Sequence, residues 1–162
     1  MAVITPQLRR ATESDIEFLA NVVLVSSEHR YSRYPEWDRD AFHAGLIEDA
    51  ADQVAGGVEN STTYVIIVDG IAVGRARLVT TTGRIEIAGL QVLPVHQNAG
   101  IGTAVISQVI DTATGAGIPI VLDVEPDNPD ARRLYERVGF RPSGPVINDR
   151  QPMVLHTPLS TP

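Results

Sequence analysis

The feature that most constrains this chain is a glycine-containing turn between an apolar strand and a helix, at residues 92–103 (VLPVHQNAGIGT). Apolar residues recur at helical spacing from Ile101 to Ala113, so the helix begins at the glycines. The first amides of a helix have no partner inside it, and the helix dipole favours negative charge in front of them. Gly100 and Gly102 carry no side chain to keep an anion away. The turn therefore indicates an anion site that suits a diphosphate, although tight packing of helix against strand would also favour glycine.

Two common nucleotide-binding loops do not fit this turn. A dinucleotide fold places a G-x-G-x-x-G fingerprint after its first strand, but here the third glycine is missing and three antiparallel strands come first. A Walker-type loop has a lysine before its serine or threonine, but Thr103 directly follows Gly102. Both kinds of nucleotide site are excluded by the residues present.

The order of predicted elements gives the fold class. The middle of the chain predicts an antiparallel meander of three strands, at 62–68, 71–80 and 84–93. A helix over 100–116 then leads to an apolar strand at 118–124, and such a crossover makes the two strands that flank it parallel. The other predicted elements are a strand at 7–10, a helix begun by a capping box of Ser14 and Glu17, helices at 38–54 and 128–138, a closing hairpin of 140–141 with 151–156, and a tail at 157–162. The chain is therefore expected to be α/β, of the α+β type, with a mixed, mostly antiparallel sheet and one strand-helix-strand crossover.

Composition narrows the function classes. The chain contains no cysteine, which excludes a disulfide scaffold, a thiolate zinc site and a covalent cysteine enzyme. Its 13 basic and 20 acidic residues give a net charge of −7, which speaks against nucleic acid or an anionic membrane surface as the main partner. No apolar run is long enough for a membrane-spanning helix, and the N-terminal residues lack a secretory signal pattern, so we expect a cytoplasmic protein.

Two separated motifs carry a resemblance to a known family. Residues 97–102 (QNAGIG) fit a Q/R-x-x-G-x-G/A loop preceded by V-x-P, and residues 128–140 (NPDARRLYERVGF) fit the pattern N-x-x-A-x-x-L-Y-x-x-x-G-F. With both motifs in this order, the chain resembles the GNAT superfamily of N-acetyltransferases over nearly its whole length. One departure is Gln97-Asn98, where an arginine-glycine pair is more common. The resemblance implies a GNAT-like acyl-CoA N-acyltransferase fold, with residues 1–162 as a single domain.

The same resemblance implies acetyl-CoA as the cofactor. Its pyrophosphate would bind the amides of the turn, and its pantetheine arm would pair with the edge of the preceding strand. Asn128 would hydrogen-bond that arm, and Arg132 or Arg133 would reach the 3′-phosphate unless both lie on a solvated helix face. The implied coenzyme-binding residues are Leu90, Gln91, Val92, Gln97, Asn98, Ala99, Gly100, Ile101, Gly102, Thr103, Asn128, Ala131 and Tyr135.

The implied reaction, acetyl transfer to an amine, needs a neutral amine, a stabilised oxyanion and a proton for the departing thiolate. Without a cysteine, direct attack in a ternary complex is expected. The resemblance places Tyr135 as the acid, although Tyr135 also lies on an apolar helix face and could be a core aromatic. It implies Glu86 as the base, unless a water chain serves or Glu86 is a surface residue paired with Arg75 or Arg84. It also implies a β-bulge near residues 90–92, which breaks the side-chain parity between Glu86 and that segment.

The amine acceptor is expected to bind the variable region between about residues 28 and 57. Aromatic faces and carboxylates together can hold a cation, although an ordinary surface connector would have the same composition. The candidate acceptor-binding residues are Tyr31, Tyr34 and Trp37, with the acidic residues Glu28, Glu36 and Asp38. No histidine has the spacing of a metal ligand, so no metal is expected.

The function implied by these observations is transfer of an acetyl group from acetyl-CoA to a primary amine of a small molecule or peptide. The alternative is a non-catalytic acyl-CoA-binding sensor or interaction domain that keeps the fold without turnover. Homodimers are common among proteins of the family that the chain resembles, but no patch in the sequence identifies an interface.

Overall fold

This computed structural model describes residues 3–158 of the chain. Within them lie four α-helices and seven strands. The helices are α1 (Ile16–Tyr31), α2 (Arg39–Val54), α3 (Ile101–Ala116) and α4 (Pro129–Val138). The strands are β1 (Gln7–Arg10), β2 (Ser61–Val68), β3 (Ile71–Thr80), β4 (Ile85–Val92), β5 (Ile120–Val124), β6 (Arg141–Pro142) and β7 (Gln151–Leu155). Every predicted helix and strand is present, while most of the predicted tail, 159–162, lies outside the described residues.

The described strands form one sheet in the order β1-β2-β3-β4-β5-β7-β6. The β4–β5 pair is parallel, because α3 carries the chain across between the two strands, and the other described pairs are antiparallel. The meander β2-β3-β4 and the closing hairpin β6-β7 are as predicted. The mixed, mostly antiparallel fold class is therefore confirmed.

A β-bulge at Ala88 interrupts the pairing of β4 with β3. Arg77 of β3 pairs with Gly89, but its neighbour Leu78 pairs with Ile87. Ala88 is therefore the extra residue on β4, and a bulge of this kind shifts by one residue which side chains point to each face.

The bulge separates the predicted base from the coenzyme-binding segment. Ile87 and Leu90 both pack in the core beneath α3, although three residues apart, and Val92 follows Leu90 on that face. Glu86 consequently lies on the opposite face from Leu90 and Val92. The bulge that we expected near residues 90–92 is thus displaced toward the start of β4, and it breaks the parity as expected.

Helices cover both faces of the sheet. The core on one face joins α3 and α4 to the middle strands, with Ile106, Ile120, Tyr135, Phe140 and Met153 among its members. The core on the other face joins α1 and α2 to β2 through Leu19, Ala50 and Val65. None of the described helices is both long enough and apolar enough to cross a membrane.

The start of α1 differs from the prediction. The capping box was expected at Ser14 and Glu17, but the Asp15 carboxylate accepts a hydrogen bond from the Thr12 N–H at 2.8 Å. Arg9 of β1 donates two hydrogen bonds of 3.0 Å to the same carboxylate, and these bonds lower the pKa of Asp15. The tie to β1 fixes a short 3-10 turn before α1, so the predicted capping box was wrong.

Phe140 is a sharp test of the core beneath α3 and α4, since it is fully buried and packs edge-on to Tyr135. We expect Phe140→Ala to lower the free energy of unfolding by about 3–5 kcal/mol, because it removes buried apolar surface and leaves a cavity. Urea titration measures the loss. Val146→Ala is the matched control, because Val146 is 50% exposed and its truncation should change stability by less than about 0.5 kcal/mol. Equal effects of the two changes would contradict this core.

Candidate active site

The site is built where β4 and β5 diverge. These parallel strands pair only at Ile85 with Ile120 and at Glu86 with Val121, and after that their paths separate. Residues 90–92 remain bonded to β3 along one edge, and the other edge of this segment borders the gap. Backbone donors and acceptors on that edge are available to an extended ligand in the manner of an added strand.

The turn after β4 is held in its shape by two polar side chains. The Gln97 side chain donates from Nε2 to the carbonyl of Val92 at 2.9 Å, which ties the turn to the end of the strand. Asn98 has a φ of 62°, a left-handed conformation that asparagine tolerates better than most residues. The two residues where the sequence departs from the family pattern therefore both have a structural role in this turn.

The two glycines at the start of α3 serve different purposes. Gly100 has a φ of 82° and caps the helix, and the first helical bond runs from the Ala104 N–H to its carbonyl at 3.0 Å. The amides of 101–103 therefore precede the helical ladder and face outward. A Cβ on Gly102 would lie 3.2 Å from Cδ2 of Leu134, so this glycine lets α3 and α4 approach closely. Packing therefore accounts for Gly102, but the close contact is with a second helix and not with the strand that the sequence analysis considered.

Asn128 is the N-cap of α4. Its Oδ1 accepts a hydrogen bond from the Ala131 N–H at 3.4 Å, and Pro129 occupies the first helical turn. Within residues 3–158 the side-chain amide of Asn128 donates no hydrogen bond, so the cap leaves its NH₂ group for a ligand. Ala131 is partly buried against the core next to it.

Tyr135 lies on the inner face of α4 and is 8% exposed. Its ring packs against Phe140, with centroids 5.8 Å apart. Burial raises the pKa of the hydroxyl to about 12, so the phenol keeps its proton at neutral pH. Inside the described part of the chain the hydroxyl has no hydrogen-bond partner. The predicted core packing and a role as acid are compatible in this position.

Glu86 occupies the place where β4 still pairs with β5, between Val79 and Val121. It forms no ion pair with Arg75 or Arg84 among the described residues, in contrast to the pairing that the sequence left open. Its assignment as base stays a prediction.

The aromatic residues predicted for the acceptor line one cavity of about 890 Å³ at the end of β5. Phe42 of α2 joins them, since its ring centroid lies 5.4 Å from that of Tyr31 and 5.6 Å from that of Trp37. Of the three predicted carboxylates, Glu36 and Asp38 line this cavity, whereas Glu28 pairs with Arg39 at 2.9 Å. The full lining is Tyr31, Tyr34, Glu36, Trp37, Asp38, Ala41, Phe42, Glu125, Pro126, Asp127, Asn148, Asp149 and Arg150.

Sequence analysis missed the part of this lining that lies outside residues 28–57, including the carboxylates of Glu125 and Asp127. Glu125 accepts hydrogen bonds from Arg30 at 2.7 Å and from the Tyr31 hydroxyl at 3.0 Å. Asp127 accepts from Arg30 and from Arg33, each at 3.1 Å. Burial and then the bond to Glu125 raise the pKa of the Tyr31 hydroxyl. The position of Glu125 and Asp127 between the end of β5 and Asn128 was the sequence signal that could have identified them.

The two arginines considered for the 3′-phosphate are engaged along α4. Arg132 pairs with Glu136 at 2.7 Å, and Arg133 pairs with Asp130. This arrangement matches the solvated helix face that the sequence left open. In residues 3–158, no group of three or more histidine or acidic side chains is arranged to hold a metal ion.

Comparison with known proteins gives the family. A model of the acetyltransferase (GNAT) family matches residues 19–140. No curated protein matches the sequence significantly. The fold is shared with PaiA N-acetyltransferase of Thermoplasma acidophilum in complex with coenzyme A, at 16% identity and a TM-score of 0.76 over 94% of this chain and 99% of that one.

Two further solved structures share the fold. RimL, a ribosomal L7/L12 alpha-N-protein acetyltransferase in complex with coenzyme A, is 15% identical, with a TM-score of 0.70 over 94% of each chain. Spermidine N-acetyltransferase of Vibrio cholerae, with coenzyme A and spermine, is 19% identical, with a TM-score of 0.69 over 94% of this chain and 96% of that one. These structures show the shared fold, and the family match over most of the chain shows that it belongs to the acetyltransferase (GNAT) family and is an N-acetyltransferase that uses acetyl-CoA.

Proposed function

We propose that this chain acetylates a primary amine bound in the aromatic cavity, by direct attack on acetyl-CoA held in the gap between β4 and β5. The observation that carries the proposal is that the gap and the cavity adjoin the same end of β5. Val124 ends that strand, the cavity residues Glu125 and Asp127 follow, and Asn128 begins α4 directly after them.

The residues present fit acetyl-CoA. The outward amides of 101–103 and the positive end of the α3 dipole suit its diphosphate. The edge of β4 at residues 90–92 and the spare NH₂ group of Asn128 suit the amide-bearing pantetheine arm. When bound, acetyl-CoA supplies an activated acetyl group as a thioester.

Tyr135 and Glu86 are proposed as the groups that move protons. The buried, protonated hydroxyl of Tyr135 would donate to the departing sulfur, and its lack of an internal partner leaves that proton available. Glu86, directly or through water, would accept the proton that the amine must lose, since a free lysine-type amine has a pKa near 10.4. The chain has no cysteine, so a direct transfer in a ternary complex is proposed.

The aromatic cavity is the proposed acceptor site because it combines aromatic rings with carboxylates. Tyr31, Tyr34 and Trp37 supply the rings, and Glu36 and Asp149 form no ion pair within residues 3–158. Such a lining favours a cationic amine, and the acceptor is the small molecule or peptide that carries it.

Three further predictions concern the whole protein. We propose that residues 1–162 form one N-acetyltransferase domain, and the single sheet through the described residues supports this. A cytoplasmic location and a homodimer stay predictions. The presence of Tyr135 and Asn128 favours the enzyme over the alternative of a non-catalytic sensor.

Release of free thiol from acetyl-CoA tests the function across a panel of polyamines, aminoglycosides, amino acids and peptides. We expect turnover with at least one amine and acetylation of that amine by mass spectrometry. Tight binding of coenzyme A without turnover on any member of the panel would favour the sensor.

Thr103→Glu tests the anion site in front of α3. A negative charge at this position should stabilise the folded helix but weaken the binding of coenzyme A. A carboxylate in the first turn should stabilise the helix by about 0.3–1 kcal/mol. It should weaken coenzyme A binding by about tenfold or more through repulsion of the diphosphate. Calorimetric titration and thermal melting measure the two effects. Ser107→Glu is the control, since Ser107 is also exposed but lies one turn further along α3. Equal affinity in the two variants would contradict the site.

Tyr135→Phe separates proton transfer from packing, since it keeps the ring and removes only the hydroxyl. We expect kcat to fall by roughly a hundredfold, the range for loss of a positioned acid. Because the pKa of Tyr135 is about 12, the wild-type kcat should show no fall from its ionisation below about pH 11. Coenzyme A binding should change little. Full turnover by the variant would make Tyr135 a packing residue only.

A further inference from the structure

Arg75 of β3 is a buried cation between α2 and the bulged strand β4. Its side chain is nearly inaccessible, with the residue 8% exposed. One guanidinium nitrogen, Nη1, donates to Oε1 of Gln91 at 2.8 Å, and the other, Nη2, donates to Oε1 of Gln53 at 3.0 Å. The planar fork of the guanidinium thus joins a helix residue to a strand residue, which a single ammonium donor could not do in the same geometry.

The chain leaves room for this guanidinium at Gly89. A Cβ placed on Gly89 would lie 2.4 Å from Nη1 of Arg75, far inside contact distance. Gly89 is the residue directly after the bulge at Ala88, and it pairs with Arg77 across the ladder. The glycine and the bulge together let the guanidinium pack against the backbone of β4.

A buried charge of this kind is costly for stability. Among the described residues, no carboxylate lies within ion-pair distance of Arg75, and its hydrogen-bonding partners are neutral amides. Burial, followed by repulsion from Arg77, lowers the pKa of the Arg75 guanidinium to about 10. The hydrogen bonds to Gln53 and Gln91 offset part of this cost, and they tie α2 to β4.

We infer that Arg75 is a positioning residue for the coenzyme: its fork to Gln53 and Gln91, seated on Gly89, fixes the segment of β4 beyond the bulge. This inference rests on the proposed binding of acetyl-CoA along residues 90–92. That segment has a strand on one side only, since β5 has diverged, and a bulge lies directly before it. Pairing with β3 restrains one edge of the segment and the core packing of Leu90 and Val92 restrains one face. The fork from α2 restrains the other face through Gln91.

The test is a double-substitution cycle between Arg75 and Gly89, with coenzyme A affinity measured by calorimetry. Arg75→Met removes the fork, and Gly89→Ala displaces it by steric conflict. We expect each change alone to weaken binding by about tenfold, and the two together to weaken it by about tenfold rather than a hundredfold, because both act through one contact. KM for acetyl-CoA should rise in the same proportion while kcat at saturation stays close to that of wild type.

Two further variants complete the test. Arg10→Met is the control, because Arg10 is exposed on β1 and its side chain forms no hydrogen bond or ion pair within residues 3–158, so the affinity of this variant should equal that of wild type. Gln53→Ala removes one arm of the fork from α2, away from the coenzyme, and should weaken binding severalfold even if Arg75→Met fails to fold.

The outcomes separate this inference from the proposed function. Wild-type protein that binds no coenzyme A would refute the proposed function itself. Wild-type binding with unchanged affinity in Gln53→Ala and Gly89→Ala would overturn the role of Arg75. Lower melting temperatures with unchanged affinity, or effects that multiply in the double variant, would also overturn it.

Discussion

The site depends on the divergence of two parallel strands. Strands β4 and β5 share pairing at only two positions before they separate, yet β5 stays in the sheet through β7. The separation leaves unpaired backbone edge inside an otherwise continuous sheet, which folded proteins normally cover. Here α3 and α4 begin next to the gap, so helix-terminal groups and the strand edge meet at one place. In the proposed function, the same divergence supplies the groups that bind the coenzyme, next to the aromatic cavity at the end of β5.

The bulge at Ala88 gives each face of β4 a separate task. On the side of α3, Ile87 and Leu90 fill the core. On the side of α1 and α2, Glu86 precedes the bulge and Gln91 follows it, so polar chemistry is confined to the face where the cavity-forming helices lie. A regular strand would place Leu90 with Glu86 and would expose apolar side chains to the acceptor side.

Local signals predicted most of the fold, because they depend on neighbours in sequence. Strands β2 and β3 meet at the Asp69-Gly70 turn, and α4 begins at the Asn128 cap and ends at Gly139. Each of these boundaries is set by residues next to it in the chain. The failures involve distant partners. The capping box was predicted at Ser14 and Glu17, but the structure has it at Thr12 and Asp15. The Asp15 carboxylate is held there by Arg9, which belongs to β1.

The candidate site shows the same division between local and distant signals. The motifs that predict the coenzyme site are each continuous in sequence, whereas the cavity gathers residues from three separate segments, 31–42, 125–127 and 148–150. Glu125 and Arg150 adopt their roles only when β5 and β7 pair and bring them to one end of the sheet. The need for glycine at position 102 was visible, but its packing partner, Leu134, lies on a different helix.

A short segment of chain joins the aromatic cavity to the proposed coenzyme site. Arg30 and Tyr31, at the end of α1, hold the Glu125 carboxylate, and Asn128 follows three residues later at the start of α4. These bonds are charge-assisted and partly buried, so they restrain the segment more firmly than exposed pairs would. Tyr31 thus belongs both to the cavity wall and to the scaffold that places Asn128. If the proposed sites are correct, a change at the end of α1 that alters acceptor choice also disturbs coenzyme binding, unless the bond to Glu125 is kept.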